Sequence, residues 1–96
     1  MSRRHAAANA GETIVVKRGE TAIVKKGGTA IIRTGGRAVI NRGGEGTVMK
    51  GGEVIVNAGG KVSVRDEGEA IINEGGMATI MAGGKAVYMG SATATF

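Results

Sequence analysis

A pair of glycines returns every eighth residue through most of this chain, and that spacing limits the available folds more than any other feature. Residues 35–60 show it undisturbed, GGRAVINRGGEGTVMKGGEVIVNAGG. Set in register from Gly11, the octads run to Ser91 without insertion or deletion: GETIVVKR, GETAIVKK, GGTAIIRT, the units of the central stretch, GGKVSVRD, EGEAIINE, GGMATIMA, GGKAVYMG and a final SATATF. Octad position one holds nine glycines and position two holds eight, together 17 of the 19 in the chain. A fixed period this short means that each unit leans on its neighbours for burial and none folds alone.

Glycine costs a helix interior about 1 kcal/mol per residue, so a helix cannot run through these pairs. The segments between them are rich in Val, Ile and Thr and are bounded by residues that accept positive φ, the pattern of short strands joined by tight turns. Strand side chains alternate between faces. Position six is Val16, Val24, Ile32, Ile40, Val48, Val56, Val64, Ile72, Ile80, Tyr88 and Phe96, with no polar residue, and position four is small or apolar throughout, from Ile14 and Ala22 to Ala94. Both columns are expected to point inward. Most Lys, Arg, Glu, Asn and Thr fall at positions three and seven, as an outward face requires.

In-phase strands and turns of this kind build an all-β solenoid, each unit pairing with its equivalent one coil away. Position five gives the number of octads per coil. It reads Val15, Ile23, Ile31, Val39, Thr47, Ile55, Ser63, Ile71, Thr79, Val87 and Thr95, so hydroxyl and aliphatic residues alternate strictly from Thr47 onward. Asn41, Asn57 and Asn73 recur at the same sixteen-residue interval. Sixteen residues per coil stacks like on like, whereas a period of twenty-four would mix Val with Ser and Ile with Thr. The expectation is a flattened two-sided solenoid of nearly six coils over residues 11–96. Residues 1–10 read as an N-terminal tail or cap, in which His5-Ala6-Ala7-Ala8 has the helix propensity for a turn.

The two outer faces of such a rod differ. One carries Val15, Ile31, Thr47, Ser63, Thr79 and Thr95. The other carries an unbroken aliphatic ladder, Ile23, Val39, Ile55, Ile71 and Val87, flanked by Arg37, Glu53, Glu69 and Lys85 and by the Asn41–Asn57–Asn73 column, which reads as an amide ladder along the axis. A continuous apolar stripe of that kind is rarely left bare on a soluble monomer.

Chemistry-bearing residues are scarce. With no cysteine and one histidine, His5, the chain has no thiolate metal site, no disulfide framework and no Ser/His/Asp arrangement. The Gly pairs lack the GxxxxGK[ST] context of a phosphate loop, and GGEGTV from Gly43 lacks the Asp that a calcium-binding β-roll needs. The Thr residues do not form the regular two-column array of an ice-binding face. No enzyme activity, cofactor, metal or small-molecule substrate is therefore expected. The formal charge of +5 is uneven, with nine Lys/Arg against three acids in residues 1–48 and four against five in residues 49–96. Arg3, Arg4, Lys17, Arg18, Lys25, Lys26, Arg33, Arg37 and Arg42 compose a basic half able to attract an anionic polymer or surface, without the interleaved aromatics that stack on bases. MSRRHAAANAGE contains no continuous apolar segment, and no stretch approaches membrane-spanning length. The expected location is cytoplasmic, or within a virion or injection machine.

GGTAIIRTGGRAVINRGG and GGEVIVNAGGKVSVRDEG resemble the glycine-rich repeats of AIDA/antigen-43-type autotransporter passengers over residues 11–90. That resemblance implies a β-solenoid mediating adhesion and aggregation by side-to-side packing. The octads also resemble, more weakly, the triple-stranded β-helices of phage and secretion-system spikes, which would imply a trimeric spike or fibre element. From the residues themselves the expectation is a non-catalytic structural protein that self-associates laterally through Ile23, Val39, Ile55, Ile71 and Val87, and also end to end, basic end on acidic end, into a fibre.

Overall fold

A computed structural model of the chain describes residues 5–65, 67–81, 83–88 and 93–95. Within them lie twelve short strands and no helix. The odd-numbered ones are β1 (His5–Ala8), β3 (Thr21–Val24), β5 (Arg37–Ile40), β7 (Glu53–Val56), β9 (Glu69–Ile72) and β11 (Lys85–Tyr88). The even-numbered ones are β2 (Thr13–Val16), β4 (Thr29–Ile32), β6 (Glu45–Val48), β8 (Lys61–Val64), β10 (Met77–Ile80) and β12 (Thr93–Thr95). Odd strands form one six-stranded parallel sheet in the order β1-β3-β5-β7-β9-β11, and even strands form a second in the order β12-β10-β8-β6-β4-β2.

Each strand pairs with the one sixteen residues on, Ile23 with Val39 and Thr47 with Ser63, so a coil is two octads and the fold is the two-sided β-solenoid that position five requires. His5–Ala8, in the segment read as a tail or cap, is an edge strand and not a helical turn. Four ladder partners, Thr21–Val24, outweigh the weak helix preference of three alanines.

The turns explain the glycines. Positions seven, eight, one and two form a four-residue turn in which the position-two N–H donates to the position-seven carbonyl, as from Gly44 to Asn41 at 2.9 Å. Nine position-one glycines have φ between 78° and 84°, the value demanded of the third residue in a type II turn and costly for any residue with a Cβ. Successive turns are tied along the axis by position-one amides, Gly27 N–H donating to Gly43 O at 2.9 Å.

The core is a single layer between the sheets, made of positions four and six, and contains no polar side chain among the described residues. Volumes are balanced within six of the octads. Ile32, Ile40, Ile72 and Ile80 share their strands with Ala30, Ala38, Ala70 and Ala78, whereas Val56 and Val64 share theirs with Val54 and Val62. Gly46, the one glycine inside a strand, lies where a Cβ would come within 2.9 Å of Ile40 Cδ1. Close packing of so thin a layer leaves no slack for an unmatched methyl group. Tyr88 and Phe96, expected from their column to point inward, have side chains outside the described residues.

Candidate self-association face

The outer face of the odd-strand sheet is built by register. Ile23, Val39, Ile55, Ile71 and Val87 occupy equivalent positions on β3, β5, β7, β9 and β11, each directly paired with the next. Parallel in-register pairing at about 4.8 Å makes them one ridge parallel to the solenoid axis. Val39 is half-buried, while Ile23, Ile55, Ile71 and Val87 are 40–55% exposed, and apart from Val15 and two methionines they are the only large apolar side chains so exposed among the described residues.

A groove follows the ridge, between it and the charged column at position three. Thr21, Arg37, Glu53 and Glu69 form one wall, Val39, Ile55 and Ile71 the other, and Ala38, Val54 and Ala70 the floor. It is the gap between two adjacent outward columns, because the residue between them, at position four, turns its side chain into the core. Arg37 Nε meets Glu53 Oε1 at 3.0 Å, with both side chains at least half exposed. Such a pair is worth at most about 1 kcal/mol, so the column acts as a polar border rather than a source of stability. Glu53 faces Glu69 on the ladder, and Lys85 follows Glu69.

The even-strand face is more polar. Ile31, Thr47 and Ser63 are half-buried, and Val15 and Thr79 are exposed. Asn41, Asn57 and Asn73 stack at the turns that leave the odd strands, Asn57 Nδ2 donating to Asn41 Oδ1 at 2.9 Å and Asn73 Nδ2 to Asn57 Oδ1 at 2.8 Å. This amide ladder is half-buried and fixes the register of three turns; its polar groups bond to one another along the axis.

The basic residues do not gather on one surface. Lys17, Arg18 and Arg33 lie in turns leaving even strands, Lys25, Lys26 and Arg42 in turns leaving odd strands on the opposite edge, and Arg37 borders the groove. Arg3 and Arg4 lie outside the described residues. Among the described residues no three His, Cys, Asp or Glu side chains come together as a metal site. No protein-family model, curated protein or solved structure matches the chain. What it does must therefore be argued from this ridge, this groove and the ends of the rod. Sequence reasoning found the ridge. It missed the groove, which lies between the outward columns at positions three and five, and it passed over Glu12 and Glu20, two acids in a column that is glycine in the eight octads that follow.

Proposed function

We propose that this protein is a non-catalytic structural element that self-associates laterally, a second copy of the chain covering the outer face of its odd-strand sheet to form a two-fold pair of rods. The single observation that carries the reading is the ridge Ile23-Val39-Ile55-Ile71-Val87, left open to solvent beside a parallel, largely apolar groove. Ridge and groove have the same repeat and lie side by side on one face. A copy turned about a two-fold axis in the contact plane can thus set its ridge into the other's groove, as an isologous interface requires. Identical β-branched rows at one spacing are also the elements from which dry sheet-to-sheet interfaces interdigitate.

Magnitudes set the strength expected. Covering the exposed half of five such side chains on each partner is worth about 7.5–15 kcal/mol gross, at about 1.5–3 kcal/mol per fully buried side chain. Association itself costs about 4–15 kcal/mol. A single pair is therefore weak, and assembly is concentration-dependent. Sedimentation velocity across micromolar to millimolar protein tests this. The wild-type sedimentation coefficient is expected to rise with concentration, and Ile55→Arg combined with Ile71→Arg is expected to hold it at the monomer value. These side chains point outward, so the double variant keeps its fold. A double variant that sediments like the wild type, both rising together, would place the contact elsewhere.

A further inference from the structure

Position two is glycine in eight octads, yet Glu12 and Glu20 fill it in the first two units from Gly11. The packing of the turns distinguishes those two positions from the rest. A Cβ built on Gly36 would lie 2.7 Å from Val16 O, on Gly52 2.9 Å from Ile32 O and on Gly60 3.0 Å from Ile40 O, and one on Gly28 would strike Ala8 O. The obstruction in each case is the backbone of the coil before, twenty residues earlier. Glu12 and Glu20 belong to the turns that join β1 to β2 and β2 to β3, and no described strand lies on that side of β1 and β2.

The same two turns also lack a hydrogen-bond acceptor. In later coils the position-seven N–H donates to the position-six carbonyl of the coil before: Lys25 to Ala8, Arg33 to Val16 and Asn41 to Val24, all at 2.9 Å. Asn9 and Lys17 are the corresponding donors of the first coil. Asn9 N–H donates to Glu12 Oε1 and Lys17 N–H to Glu20 Oε1, both at 2.8 Å. Each carboxylate oxygen thus stands where the carbonyl of a further coil would have to be. Unpaired strand edges recruit other chains unless something blunts them.

We propose that Glu12 and Glu20 form a built terminus of the solenoid: side chains that fill the space a further coil would need and satisfy, in each turn, the position-seven amide that such a coil would use. Neither chain upstream of β1 nor the last coil of a second copy can then continue the ladder in register at this end. End-to-end growth, basic end on acidic end, is closed there, which leaves the sides of the rod as the route of assembly. The terminus is a property of one molecule and holds whether or not the ridge is used.

An added coil tests it without any association. Residues 35–50 are copied between Ser2 and Arg3, which places an odd-type and an even-type octad in phase ahead of β1, and amide hydrogen exchange is followed by NMR. With Glu12 and Glu20 present the inserted strands are expected to exchange as an unfolded segment does. With Glu12→Gly and Glu20→Gly they are expected to gain protection of about tenfold or more, the effect of a ladder hydrogen bond worth about 1.5 kcal/mol. Protection of the inserted strands that is the same in both chains, whether present or absent, overturns the proposal. In the chain without the insert, Glu20→Gly is expected to speed exchange at Lys17 by about tenfold while Arg33 is unchanged, since a hydrogen bond to a charged acceptor is lost at Lys17 alone. Equal exchange at Lys17 in the two proteins would equally overturn it.

Discussion

Gly52→Ala is expected to cost about 3 kcal/mol of stability, although it adds one methyl group to a residue outside every strand. Its Cβ would lie 2.9 Å from both Ile32 O and Ile32 Cγ2 and 3.1 Å from Val48 Cγ1. A carbonyl oxygen held in the turn ladder cannot rotate away, so the coils must separate locally. Overpacking of this kind costs about 1–3 kcal/mol, and the immobile backbone places this site at the upper end. Gly19→Ala is the control. Nothing lies within 4 Å of its Cβ, and the cost there comes from φ of +81° alone, about 1–2 kcal/mol for an L-residue in the left-handed region. Thermal unfolding distinguishes them, because 1 kcal/mol shifts the midpoint of a domain this size by about 4–8 °C. A Gly52→Ala protein as stable as Gly19→Ala would mean that successive turns are not stacked as closely as the structure has them.

Ile40→Ala is expected to be the most damaging truncation in the core, at about 4 kcal/mol. Ile40 is fully buried, and Cδ1 reaches across to the strand glycine, Gly46, which has no side chain of its own to fill the space it leaves. Truncations of buried Ile to Ala cost about 2–5 kcal/mol, more where the site cannot collapse. The contact between Gly46 and Ile40 across the core supplies a sharper test. Gly46→Ala alone crowds Ile40 Cδ1 and Ile40→Val alone leaves a void, each costing about 1 kcal/mol, but the methyl added by one is the methyl removed by the other. The pair is expected to be nearly as stable as the wild type, a favourable coupling of about 1–2 kcal/mol. Additive losses in chemical denaturation would show that the two side chains do not share one space.

Much of this architecture could be read from the sequence because repetition multiplies weak signals. One Val or Thr at position five says little, but their alternation from Thr47 to Thr95 separates a sixteen-residue coil from a twenty-four-residue one, and the Asn column repeats the same interval. The aliphatic ridge followed from the same column, since side chains stacked in register must form a line. Where no repetition marks the chain, the sequence was silent. Residues 3–10 have arginines in place of the Gly pair and Ala8 in place of Val or Ile. Their strand is dictated by the open edge of β3 rather than by any preference of their own. The basic residues looked like one patch because they crowd the first half of the chain. A coil of two octads sends consecutive turns to opposite edges, so neighbours in sequence part in space. Glu12 and Glu20 depart from the glycine of later octads, and only the stacking of coils shows that no described strand lies beneath them.

The claim on which the functional reading depends is that a second copy covers the odd-strand face and leaves the even-strand face open. Ile71→Cys and Thr79→Cys place single thiols at position five of adjacent octads, on opposite faces, and both parent side chains are exposed in the monomer. Maleimide labelling of each is followed from micromolar to millimolar protein under reducing conditions. The thiol of Ile71→Cys is expected to react progressively more slowly as concentration rises while that of Thr79→Cys keeps its dilute-solution rate; equal rates at the two positions over the whole range would contradict the account.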